Sequence, residues 1–164
     1  MKPIYLIVIA LFLGMAAKPQ QKTEIYNPEA DAAADIAKAI TLAGTQGKHV
    51  FLQVGGNWCP WCIRFHKFVA ENAQLDSIVN ANYIVVKVNY SKEKPNNEVL
   101  AGLGYPQRFG FPVFVILDGK GKFLHIQDSG LLEEGKGYSP DKVKNMFLMW
   151  SSASICLAEE KYKP

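Results

Sequence analysis

The chain is 164 residues long, one domain's worth, with room for a substantial core. Hydrophobic residues make up 49% and charged residues 20%, which excludes a disordered chain. The formal net charge of +3 comes with scattered lysines and no basic stripe, so no nucleic-acid partner is expected.

In the first residues, Lys2 precedes an apolar run from Ile4 to Leu13 and the small-residue stretch Gly14-Met15-Ala16-Ala17. That order is the pattern of a secretory signal peptide over residues 1–17, with Gly14 and Ala16 suited to cleavage. The run falls short of the roughly 20 residues that span a bilayer, so membrane contact is expected only if the segment stays uncleaved. No cysteine follows the run to carry a lipid. The protein is expected to be exported, periplasmic or secreted, where disulfides persist. A polar linker fills residues 18–26, and the folded domain is expected over 27–160.

Asn27-Pro28 reads as an N-cap with proline at the first helical position. A helix follows on Ala33, Ile36, Ala37, Ile40 and Ala43, with Gly44 or Gly47 to end it. His49 to Gly56 then reads as a buried strand. From Cys59 to about Asn72 the pattern is helical, with Ile63, Phe65, Phe68 and Val69 apolar. A second weak helix leads into the strand "NYIVVKVNY", and "NNEVLAGLG" gives a short helix. "PVFVILD" and "KFLHIQD" flank a turn at Gly119-Lys120-Gly121 and make an antiparallel hairpin. Ser139-Pro140 starts one last helix with Val143, Phe147, Trp150, Ser154 and Leu157 along one face. This order implies an α/β domain, a central mixed sheet with helices on both faces.

Two of the three cysteines stand in "NWCPWC", where the strand ends and a helix begins. Cysteines three apart in a first helical turn are close enough for a disulfide. The helix start offers unpaired N–H groups and partial positive charge, which favour a thiolate at Cys59. Cys62, one turn on, is placed to resolve a mixed disulfide. Pro60 sits where its missing N–H costs little. A structural staple is the weaker reading, because so small a ring removes little chain entropy. A metal site wants more ligands than Cys59, Cys62 and His66 supply, although soft thiolates suit Cu(I). His49 and His125 sit in strand patterns and carry no site signal.

"VFLQVGGNWCPWC", followed by a helix and then "GFPVFVILDGKGK", resembles the thioredoxin superfamily, above all its secreted or periplasmic "WCxWC" domains. The resemblance covers about residues 28–158 and implies a thioredoxin fold. It makes Cys59 the nucleophile, Cys62 the resolving cysteine and Pro60-Trp61 the active-site dipeptide. Pro112 matches the family's cis-proline, and Phe111 before it matches the residue that offers its backbone to substrate. Trp58 and Gly130 match positions lining the substrate groove. Gln53 stands where cytoplasmic thioredoxins carry a buried acid, and an amide takes no proton at neutral pH. Lys87 matches that acid's lysine partner, so here it is expected to be unpaired or turned toward solvent. Trp61 brings no charge between the cysteines, which points to a reductant or exchanger rather than a strong oxidant.

Cys156 in the last helix reads as a partly buried small hydrophobe. The stretch from Asp128 to Lys142 is long for a connection, and its glycines leave it free to overhang the groove. Leu131, Leu132 and Tyr138 would then reach a partner. The sequence thus suggests a thiol–disulfide oxidoreductase acting on protein thiols and disulfides with an unidentified redox partner, and needing no cofactor beyond the Cys59–Cys62 disulfide. The alternative is an extracytoplasmic copper-binding or delivery protein using Cys59, Cys62 and His66; a binding module with a relic dithiol is a third.

Overall fold

A computed structural model describes residues 24–163. The expected signal peptide and residues 18–23 of the linker lie outside the described residues. The linker's last part does not behave as one: Tyr26 is buried against the two cysteines.

The first helix, α1, runs from Ala32 to Gln46, four residues later than Asn27-Pro28 suggests. The Asn27 side chain instead accepts from the Glu29 N–H in a local turn. Asp31 is the N-cap, its carboxylate accepting from the Ala34 N–H at 3.0 Å. A carboxylate suits the positive end of a helix better than an amide does. Gly47 closes the helix in the left-handed conformation, φ 64°, which glycine adopts without strain.

Strand β1 (His49–Gly55) is buried along its whole length. It pairs in parallel with β2 (Tyr83–Asn89) and antiparallel with β3 (Val113–Leu117). β3 continues as an antiparallel hairpin into β4 (Phe123–Asp128), giving the order β2-β1-β3-β4. Side chains alternate between two cores. Val50, Leu52, Val54, Val113, Val115 and Leu117 pack under α1. Phe51, Phe114 and Ile116 face the other layer. Cover on both faces is why β3 is a continuous apolar run and β1 is apolar apart from His49 and Gln53.

That second layer holds α2 (Pro60–Glu71), α3 (Ala73–Asn82) and, late in the chain, α5 (Pro140–Met149). The short helix α4 (Asn97–Gly102) and a 3₁₀ turn at Pro106–Phe109 connect β2 to β3. Phe51, Phe65 and Phe114 form the centre of the aromatic core, with Phe65 and Phe114 centroids 4.3 Å apart.

Two expectations are corrected here. The stretch after β4 is not a free loop: a 3₁₀ turn (Ser129–Leu132) leads into a small hairpin, β5 (Glu133–Glu134) and β6 (Gly137–Tyr138). Leu132 and Tyr138 belong to the aromatic core, and only Leu131 faces solvent. The last helix is broken at Trp150, and α6 (Ser152–Lys161) starts afresh with Ser151 as N-cap. The Trp150 carbonyl is drawn to His49 Nδ1 at 2.8 Å, and its ring stacks on His125. Helix α6 buries no residue, so Cys156 is exposed rather than a small core hydrophobe. No helix among the described residues is long and apolar enough to cross a membrane.

The aromatic core makes a direct prediction. Phe114→Ala should cost about 3–5 kcal/mol, whereas Phe123→Ala, at a half-exposed position, should cost less than about 1 kcal/mol. Urea denaturation of the oxidised protein checks both.

Candidate functional site

The site forms where β1 hands the chain to α2. Cys59 is the N-cap of α2 with extended backbone, and Pro60 takes the first helical position. Cys59 and Cys62 are joined as a disulfide, with Cα atoms 5.3 Å apart. The Cys62 N–H, in the first turn, is shared between the Cys59 carbonyl and Cys59 Sγ, each 3.1 Å away. That hydrogen bond and the helix dipole stabilise negative charge on Cys59 once the disulfide opens. Both cysteines are buried, at 3% and 0% exposure.

Their cover comes from three sides. Residues 24–31 form a strap in which Tyr26 packs on both cysteines, with Ile25 beside it. Asn57 in the active-site turn clamps this strap. Its Oδ1 accepts from the N–H groups of Ile25 (2.9 Å) and Tyr26 (3.0 Å), and its Nδ2 donates to the Tyr26 carbonyl (2.8 Å). Phe111 closes a second side, and the Phe111–Pro112 peptide is cis. Trp61 closes the third; its ring meets Tyr138 edge-on and carries the Arg64 guanidinium on its face.

Trp58 is the open member, 52% exposed. Its indole N–H donates to the Tyr90 carbonyl at 2.7 Å, and its ring meets Phe111 edge-on at 5.4 Å. A groove of about 660 Å³ runs from Trp58 along Asn57, Tyr90, Lys92 and Pro28. Phe111, Pro112 and Gly130 do not line it. Gly130 is exposed just past β4, whose Asp128 pairs with Val113 next to Pro112.

Beneath the dithiol lies Gln53, fully buried in β1. Its Nε2 donates to the Tyr26 hydroxyl at 2.9 Å and to the Cys62 carbonyl at 3.1 Å. Its Oε1 accepts from the Lys87 ammonium, which stands directly opposite on β2. Lys87 is thus neither unpaired nor turned away. The sequence showed both residues but not the register that pairs them. Tyr26 and Asn57 carried no signal beyond their positions, one in an apparent linker and one in the quoted motif.

Burial lowers the Lys87 pKa from 10.5 to about 8 and pushes the Tyr26 and Tyr138 phenols well above their ordinary range. His66 is lowered by burial and then by the Lys87 charge. Among the described residues no three His, Cys, Asp or Glu side chains form a metal-ligand cluster.

The Lys87 shift has a sign. Between about pH 8 and 10.5 the unfolded chain holds a proton that the folded protein has released. Burial of the ammonium therefore costs stability below pH 8, and stability rises with pH through that window. Urea midpoints of an oxidised Cys156→Ser protein should climb from pH 7.5 toward pH 10, a rise that Lys87→Met should flatten.

A thioredoxin-like family model matches residues 31–119, more than half of the chain. No curated protein sequence matches it. Among solved structures, a disulphide isomerase from Xylella fastidiosa Temecula1 is 25% identical, covering 77% of this chain and 95% of its own, with a TM-score of 0.68. A thioredoxin from Thermus thermophilus is 19% identical over 78% and 92% of the two chains, with a TM-score of 0.46. A DsbH oxidoreductase is 18% identical over 88% and 93%, also at 0.46. With its mixed four-stranded sheet, flanking helices and Cys59–Cys62 pair at the start of α2, the chain belongs to the thioredoxin-like family.

Proposed function

We propose that this protein is a thiol–disulfide oxidoreductase acting on protein substrates, with Cys59 attacking and Cys62 resolving. The hydrogen bond from the Cys62 N–H to Cys59 Sγ carries the reading, because it marks the sulfur best able to bear charge. In the reductive direction the Cys59 thiolate attacks a substrate disulfide and one substrate sulfur leaves with the electron pair. The Cys62 thiolate then attacks Cys59 Sγ, and the second substrate sulfur departs as the Cys59–Cys62 bond forms.

Phe111 and Pro112 bound the substrate's approach on one side and Trp58 on the other, with Gly130 further along the same edge. The protein works outside the cytoplasm, a reading supported by the apolar leader in the sequence. Its chemistry needs no cofactor beyond the two sulfurs, and its partners are protein thiols and disulfides together with a redox protein that resets the dithiol. No cation lies between the cysteines, which supports a reductant or exchanger over a strong oxidant.

Trapping tests the assignment of roles. Cys62→Ser in a Cys156→Ser background should accumulate a mixed disulfide through Cys59 with a disulfide-bonded protein, read as a mass increase under non-reducing conditions. Cys59→Ser should trap nothing; trapping through Cys62 instead would reverse the roles. The direction is read by titrating the dithiol in thiol buffers with Trp58 and Trp61 fluorescence. A reductant or exchanger lies below about −180 mV, and a higher value would mark an oxidant or isomerase.

A further inference from the structure

We propose that the Tyr26 hydroxyl is the hydrogen-bond donor that receives the Cys62 sulfur when the disulfide opens, taking the place of a buried acid. This rests on the reading of Cys59–Cys62 as an exchanging dithiol and adds to it a residue from outside the active-site turn.

The orientation of one amide decides what Tyr26 can do. An ammonium only donates, so Lys87 fixes Gln53 Oε1 as the end that faces it. Gln53 Nε2 must then face the other way, and its two hydrogens go to the Tyr26 oxygen and the Cys62 carbonyl. The Tyr26 oxygen is therefore an acceptor toward Gln53, and its own hydrogen is left to point elsewhere. Cys62 Sγ borders the same small space beside Gly55 as the Tyr26 oxygen. A side chain on Gly55 would place its Cβ 2.8 Å from the Tyr26 oxygen and closer still to Cys62 Sγ. The absent side chain of Gly55 thus leaves a space that both the hydroxyl and the sulfur border.

While the disulfide is closed, no hydrogen bond joins the two among the described residues, and the Tyr26 oxygen is engaged by Gln53 alone. A disulfide sulfur is a weak acceptor. A thiolate is a strong one. When an incoming thiolate bonds to Cys59 Sγ, the Cys59–Cys62 bond breaks and its electron pair goes to Cys62 Sγ. The Tyr26 O–H then donates to that sulfur and keeps its proton, which burial holds firmly on the phenol. In the reverse step Cys62 Sγ attacks Cys59 Sγ, the partner's sulfur leaves with the pair, and the hydrogen bond is released. Tyr138, the other phenol nearby, already donates to the Trp61 carbonyl.

Cys62 is the sole cysteine in a Cys59→Ser, Cys156→Ser protein, and its titration is read by thiolate absorbance. Lys87, His66 and Tyr138 are unchanged in every variant. Tyr26→Phe, which removes only the hydroxyl, should raise the Cys62 pKa by about one unit. A merely structural Tyr26 would lower the melting temperature and leave that titration unmoved, which overturns the proposal. If Tyr26→Phe does not fold, carbon-13 NMR of the Tyr26 Cζ in the Tyr26-bearing protein answers instead. Its shift should follow the Cys62 midpoint, and a flat shift overturns the proposal. Wild-type exchange activity is measured separately. An inactive wild type overturns the oxidoreductase reading, and with it the proposal; an active one with an unmoved Cys62 titration overturns the role of Tyr26 alone.

Discussion

The constraint on which the site depends is one buried amide in a strand that is otherwise almost wholly apolar. Gln53 has no exposed surface, so every polar atom it carries must find a partner inside the protein. Each one left unmet would cost about 1–3 kcal/mol. The three partners come from three elements: Lys87 on β2, Tyr26 on the strap and the Cys62 carbonyl in α2. Meeting them therefore sets more than a side-chain rotamer. It holds the β1–β2 register, since a slip of one residue would carry Lys87 to the opposite face. It also docks the strap and seats the first turn of α2 on the sheet.

A second amide does the complementary work from above. Asn57 binds the strap's backbone at both donor and acceptor, as a neighbouring strand would, although the strap belongs to no sheet. Between Gln53 and Asn57 Tyr26 has little freedom, and its ring packs with both cysteines. The two sulfurs are covered by residues that are almost neighbours of the motif in space and far from it along the chain. Trp58 stays open because its indole N–H is held outward by the Tyr90 carbonyl.

The element order was legible because local signals carried it. β1 and β3 are two-sided apolar runs, and a cysteine followed by proline after Gly55-Gly56 announces a helix start. What the sequence hid depends on partners far along the chain. The break between α5 and α6 rests on His49, about a hundred residues away, drawing in the Trp150 carbonyl. Lys87 looked unpaired because its partner is set by strand register rather than by spacing. Tyr26 looked like linker because nothing nearby in sequence needs it. Leu132 and Tyr138 lay among glycines that suggested a mobile loop, yet aromatic packing on Trp61, Phe65 and Phe68 holds Tyr138 in the core. Trp58, Phe111 and Pro112 were placed through resemblance, and their contacts came only with the fold.

The surroundings of the dithiol push its charge in opposite directions. The start of α2 and its Cys62 N–H favour a thiolate at Cys59, and the Lys87 ammonium extends a positive field through Gln53 toward Cys62. Burial of both sulfurs among Tyr26, Phe111 and Trp61 works against any charge there. A strong oxidant needs the first set to prevail, because stabilising the thiolates stabilises the reduced form. A strong reductant needs the second. Neither set is reinforced here: no cation sits between the cysteines, and Gln53 replaces an acid that would have repelled a thiolate. An amide and a phenol, Gln53 and Tyr26, stand beside the dithiol in place of an acid's formal charge. The exchange proposed for this dithiol asks for such a balance between the two sets.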